Sequence, residues 1–188
     1  MPSHNPEYIV LETKRLVESD KRSEIRLNAN GGNCILLICD PSKELEYIQA
    51  ITKLMEKDSY QIIDLNNLLN EFLETNADTL KETFELLKGS ISQIFRTPEG
   101  EDGHDLFGLI LKAVGNSFKS EKIPVMIHSG ALYGTGIDNI HIMENELIMK
   151  ASLPLIILYP ATKDGENLLF LSKRPASRYR CMIVDETK

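Results

Sequence analysis

The chain has no tryptophan and only six phenylalanines and six tyrosines in 188 residues. Cysteine is equally sparse. Cys34, Cys39 and Cys181 are an odd number with no CxxC pair, which argues against a disulfide framework or a zinc ribbon. Cys34 and Cys39 border an apolar run, where a free thiol behaves as a small hydrophobe, so reduced core thiols are expected. The four histidines are scattered, none beside a convincing second ligand, and neither a metal nor a cofactor is expected. The start of the chain lacks an apolar core of signal-peptide length. No run approaches the roughly 20 apolar residues of a membrane span, so the expectation is a cytoplasmic protein without membrane contact. Positive charge is short as well. Twenty-one Lys and Arg face 28 Asp and Glu, a net charge of −7, which argues against nucleic-acid binding through broad phosphate neutralisation. Only the cluster Lys173, Arg174, Arg178 and Arg180 runs the other way.

What is present is a series of short, uncharged apolar runs separated by helical periods. Leu153 to Tyr159, bracketed by Pro154 and Pro160, carries no charge, as a strand covered on both faces should. Cys34–Cys39, Tyr60–Leu65 and Pro124–His128 read the same way. Between them lie helical patterns: 5–19 with Pro6 after an Asn5 cap, about 41–57 with a face of Leu45, Ile48, Ile51, Thr52 and Met55, 66–95 broken near Asn76 and Asp78, about 105–120, and about 138–150. Ile25–Leu27 reads as a short strand, after a charged break at Ser19–Ser23. Thr97–Gly103 reads as a surface loop. Leu168–Leu171 and Tyr179–Val184 complete the sheet as a partly antiparallel edge. The expectation is one α/β domain over 1–188, three-layered, with a mostly parallel sheet and a C-terminal strand–turn–strand over 153–185.

Open α/β sheets bind ligands beyond the carboxyl ends of their strands, so the phosphate loop is the first test. Gly31-Gly32 precedes the first strand instead of following it. Asp40-Pro41-Ser42-Lys43-Glu44, which does follow, has no glycine and reverses the Lys-Ser order. The loop Ser129, Gly130, Tyr133, Gly134 to Gly136 lies between a strand and a helix. It reads either as a ligand loop or as a flexible connection whose Asp138 caps the next helix. His128 ends a strand with no visible nucleophile, so a bond to backbone is expected for it. Asp40 and Asp64, read as ending neighbouring strands, are expected to serve turns and caps. Arg174, Arg178, Tyr179 and Arg180 mix aromatic and guanidinium groups, as protein interfaces and single-strand platforms do; arginines guarding an edge strand would read the same way.

Pro154-Leu-Ile-Ile-Leu-Tyr-Pro160, then Asp164-Gly165, Leu168-Leu-Phe170 and Tyr179-Arg180, resemble the C-terminal signature of the BrxB family. That family is a small component of BREX bacteriophage-exclusion systems. The strand ending in Asp40-Pro41 and the loop Ser129-Gly130-Ala131-Leu132-Tyr133 fit in order. Ala161 stands where the family has glycine, Cys181 replaces a small residue, and Gly134-Thr-Gly-Ile-Asp138 replaces a Pro-x-x-Arg, so the chain resembles a divergent member. The resemblance implies a degenerate P-loop or AAA-like α/β fold without the nucleotide motif, and a non-enzymatic adaptor in phage defence. The implied partners are a PglZ-like protein of the alkaline-phosphatase superfamily and other BREX components, including the methyltransferase assembly. The surface expected to meet them comprises Tyr159, Pro160, Asp164, Gly165, Arg174, Arg178, Tyr179 and Arg180. The alternative is a nucleotide or nucleic-acid binding module using the strand ends and the Gly130–Gly136 loop.

Overall fold

A computed structural model describes residues 5–19, 22–98 and 104–186. Residues 20 and 21 of the expected break, and 99–103 of the expected loop, lie outside the described residues. Five strands, β1 (Cys34–Cys39), β2 (Tyr60–Asp64), β3 (Ile123–Ile127), β4 (Leu155–Asp164) and β7 (Cys181–Val184), form a sheet in the order β2-β3-β4-β1-β7. Every neighbouring pair along it is parallel. Two short strands, β5 (Asn167–Phe170) and β6 (Arg174–Ala176), continue antiparallel from the end of β4. Helices cover both faces, and the three-layer α/β fold with a mostly parallel sheet is what the apolar runs imply.

The apolar runs divide their residues between two cores. Ile35, Leu37, Ile156 and Leu158 face the layer of α1 (Pro6–Glu18), α2 (Arg22–Asn28) and α3 (Glu44–Leu54). Leu36, Ile38, Leu155 and Ile157 face the other layer. That layer holds α4 (Leu65–Thr75), α5 (Ala77–Leu86), α6 (Ser92–Phe95), α7 (Leu106–Lys119), α8 (Asn139–Met143) and α9 (Glu146–Met149). Each fully buried Leu or Ile contributes roughly 1.5–3 kcal/mol relative to exposure. An uninterrupted apolar run is therefore stabilising only where both faces are covered.

Several boundaries differ from the sequence reading. Ile25–Leu27 belongs to helix α2, with Ile25 buried and Leu27 80% exposed; three residues are too few for a period to separate strand from helix. The core side of α3 is Tyr47, Ala50 and Ile51, while Leu45 points to solvent. The helix expected over 138–150 is two short helices, because Asn145 accepts the Leu147 N–H at 3.0 Å and caps a second one. α5 buries none of its residues, leaving Phe84 and Leu86 exposed. β4 passes through Pro160 instead of stopping before it. Among the described residues antiparallel pairing at the C-terminus is confined to β4–β5–β6, and β7 returns to lie parallel to β1.

Asn33, 3% exposed, joins the starts of β1 and β4. Its side-chain amide donates to the carbonyls of Ile148, Ala151 and Leu153 at 3.1, 3.0 and 2.8 Å, and its own carbonyl accepts from Leu155 N–H at 3.0 Å. Beside it, the backbone of Gly32 lies so close to that of Arg180 that a Cβ would overlap the Arg180 carbonyl group.

Candidate functional site

The carboxyl ends of the strands carry the polar groups, as open α/β sheets place them. Asp40 follows β1 and closes a single 3-10 turn, Pro41–Lys43. Its Oδ1 accepts from the Ser42 N–H at 2.8 Å and the Ser42 hydroxyl at 2.5 Å, and these bonds hold its carboxyl below the usual range. Ser42 thus spends both donors on Asp40, and Lys43 is drawn to Glu186 at 3.1 Å. Where a phosphate would need converging amides, this edge offers a carboxylate.

Asp64 ends β2 and caps α4, accepting the Asn66 N–H at 2.9 Å. The same Oδ1 lies 2.9 Å from His128 Nδ1. The bond to backbone expected for His128 is therefore replaced by a carboxylate partner. Asp64 and Ile127 are register partners on β2 and β3, so the next residue, His128, turns toward Asp64 through a left-handed backbone, φ +57°. Asp40 and Asp64 do not end neighbouring strands, since β3 and β4 stand between β1 and β2. Their capping and turn roles hold. Glu44, at the start of α3, has a buried Oε1 with no hydrogen-bond partner among the described residues. Burial raises its pKa, and the nearby His128 partly opposes that rise. An imidazole oriented by a carboxylate can exchange protons. The adjacent Ser129 hydroxyl is not aimed at His128, since it is buried and donates to the Leu158 carbonyl at 2.8 Å. Among the described residues no group of three or more His, Cys, Asp or Glu is placed to hold a metal ion, and no helix is long and apolar enough to cross a membrane.

The loop after β3 is a packed connection. Ser129–Leu132 forms a 3-10 turn, and the amides of Ala131, Tyr133, Thr135 and Ile137 donate within the loop. Gly134 and Gly136 have φ of +85° and +78°, and a Cβ on Gly136 would overlap Ser92. Tyr133 is half exposed and lies against Phe170, ring centres 6.3 Å apart. Asp138 precedes α8, and its N–H donates to His141 Nδ1 at 3.0 Å. Beyond capping, Asp138 pairs with Arg174 at 2.9 Å, while Asn139 donates to the Ser177 carbonyl at 2.7 Å. These contacts tie the loop to the C-terminal ribbon. A cavity of about 10 Å³ lies between them, lined by Ser129, Asp138, Tyr159 and Phe170 among others. That is room for one water and no more.

The ribbon β4–β5–β6 leaves the parallel sheet after Pro160, with an exposed tip at Asp164, Gly165 and Glu166. Tyr159 and Pro160 are interior, Tyr159 stacking on Phe170 at 4.6 Å. They support the ribbon from beneath and are corrected out of the expected docking surface. Arg174 is half buried against Asp138. Arg178 donates to the Glu166 carbonyl at 2.8 Å and meets its carboxylate at 3.2 Å, so it braces the tip. Arg180 takes φ +63°, stacks over Tyr179 at 4.7 Å, and donates to the Asn30 carbonyl. Asp164, Gly165, Arg178 and Tyr179 remain as the solvent-facing part of that surface. Sequence reasoning missed the Asp64–His128 pair and the clamps at Asp138, Asn139 and Glu166. Each joins residues distant in the chain, and the one available signal was that Asp64 and His128 both terminate buried strands. No family model, no curated protein and no solved structure matches the chain.

Proposed function

We propose that the chain is a non-enzymatic, protein-binding component of a BREX-type phage-defence assembly, docking on the PglZ-like protein of the same system. One observation carries the protein-binding part. The ribbon projects beyond the sheet and holds Asp164, Gly165, Arg178 and Tyr179 outward, with Arg178 already ordered by Glu166. A braced arginine beside an exposed tyrosine loses little freedom on binding, and such pairs dominate interface energies. The ionised carboxylate of Asp40 at the end of β1 favours a protein over a nucleotide as partner. The system assignment rests on the BrxB-like residues from Pro154 to Arg180.

The test is co-purification of the PglZ-like protein with the tagged full chain. Arg178→Ala with Tyr179→Ala is expected to lower recovery at least about tenfold, about 1.4 kcal/mol of binding, with a melting temperature lowered by no more than about 4 °C, because the exposed contacts of Arg178 to Glu166 are worth at most about 1 kcal/mol. Arg180 is left intact because it also holds Asn30. Full recovery by the double variant would remove this surface from the reading. No recovery with the unaltered chain would sink the reading itself.

A further inference from the structure

We infer that the pocket between α6 and the loop after β3 binds a small phosphate ester through Arg96. This goes beyond the protein-docking reading and does not rest on it. Arg15, Arg26, Arg174, Arg178 and Arg180 each meet an oxygen acceptor within the chain. Arg96 is half buried and meets none among the described residues. Its guanidinium lies over the Phe107 ring, 5.4 Å from the centroid. The ring holds the cation in place but leaves its N–H donors unused. A cation taken partly out of water without an oxygen partner is costly.

Two close approaches build the pocket. Arg96 caps α6, and its N–H donates to the Ser92 carbonyl at 3.0 Å. Residues four apart on such a turn share a side, so the Ser92 hydroxyl and the Arg96 guanidinium are neighbours. The loop after β3 then reaches Ser92 at Gly136, where φ is +78° and a Cβ would overlap that of Ser92. Glycine alone lets the two segments meet there. Between them lies a pocket of about 230 Å³ lined by Ser92, Gln93, Arg96, Thr97, Pro98 and Gly136. The Ser92 and Thr97 hydroxyls, the Gln93 carboxamide and the Gly136 N–H make no hydrogen bond among the described residues.

The wall chemistry chooses the ligand. Each of these polar groups can donate, Arg96 alone is charged, and no Asp or Glu is among them. The carboxylates joined to the walls are engaged elsewhere. Asp105 accepts the Thr97 and Gly108 amides, and Asp138 pairs with Arg174 at 2.9 Å. The net charge of −7 is screened beyond about 8 Å in physiological salt, so the local donors decide. Donors from two segments suit the three terminal oxygens of a phosphate ester, whereas a carboxylate presents only two. The volume is below the roughly 300 Å³ at which pockets for drug-sized ligands begin. A phosphate with a small remainder fits it.

The experiment titrates the full chain with glycerol 3-phosphate, inorganic phosphate and acetate, followed by NMR of the backbone amides and the Arg96 Nε–H. Saturable shifts of Thr97, Gly136 and Arg96 with the ester are expected, at a Kd of about 1 mM or below. Burial and then the Arg96 charge lower the pKa of His141, and a bound dianion is expected to raise it. Arg96→Gln is expected to weaken ester binding at least about tenfold. Ser92→Ala, which keeps its Cβ against Gly136, is expected to weaken it about fivefold. Acetate is expected to bind at least about tenfold more weakly than the ester. Absence of saturable shifts, equal affinity for acetate, or binding unaltered by either substitution overturns the inference. So does binding of inorganic phosphate with exclusion of the ester, which would make this a site for the free ion. Glu99 and Glu101 follow Pro98 in the sequence. Ester binding that appears only in Glu99→Gln with Glu101→Gln would also overturn it, giving Arg96 to the chain's own carboxylates.

Discussion

Asn33→Ala tests how the start of the central strand pair is held. The Asn33 amide has two hydrogens and serves three carbonyls, those of Ile148, Ala151 and Leu153. A neutral hydrogen bond contributes about 1 kcal/mol net, and buried carbonyls left without donors cost more. The expected loss is about 3 kcal/mol in urea unfolding at unchanged m. For a chain of this length that corresponds to a fall of roughly 6–12 °C in Tm. Asn33→Asp is the sharper variant. It keeps the shape but turns a carboxylate toward three carbonyl oxygens in a site 3% exposed, so it is expected to be less stable than Asn33→Ala near neutral pH. A loss under about 1 kcal/mol for the alanine variant, or an aspartate variant as stable as the alanine one, would refute the reasoning.

Gly32→Ala is expected to cost at least about 2 kcal/mol, because its Cβ meets the Arg180 backbone and not a mobile side chain; urea unfolding measures it, and a neutral result would mean the 29–33 turn and the Arg180 turn are not in contact in solution. Glu44 has a raised folded-state pKa through burial. Its contribution is fully present below the unfolded carboxylate value of about 4.3 and is lost as pH rises through the folded value. Glu44→Gln should therefore be at least as stable as the parent at pH 7, with the advantage vanishing below about pH 4; a variant less stable at pH 7 would show that Glu44 has a charged partner. Burial pushes the thiols of Cys34 and Cys39 well up, and that of Cys181 up to about 12. A thiol reagent at pH 8 should label none of the three in the folded chain and all three in urea, and mass spectrometry showing prompt native labelling would contradict their burial.

The run of seven uncharged residues ending at Tyr159 illustrates what was legible. A parallel strand covered on both faces needs no polar face, so the absence of alternation locates β1, β3 and β4 and implies helices above and below. The missing phosphate loop was legible too, since it requires adjacent residues of fixed type. Less was readable where the signal is short. Three residues at 25–27 fit either period, and Pro160 inside β4 looked like a stop because a proline is compatible with a strand only where its missing N–H is not needed. The candidate site divides the same way. Its loop glycines and C-terminal arginines were visible as residue types, but Tyr159 and Pro160 are interior and Arg174, Arg178 and Arg180 have partners within the chain.

The sequence by itself determined the layered α/β class, the positions of the main strands, and the absence of a phosphate-loop motif after the first strand. Tertiary structure alone decided the order β2-β3-β4-β1-β7, and with it that His128 meets Asp64, that Asp40 stands apart from Asp64, and that an interior-type strand lies at an edge. The physical reason is range. Burial of a single element is written in its own hydrophobic period. Which elements become neighbours depends on how all the layers close at once, and no local stretch carries that.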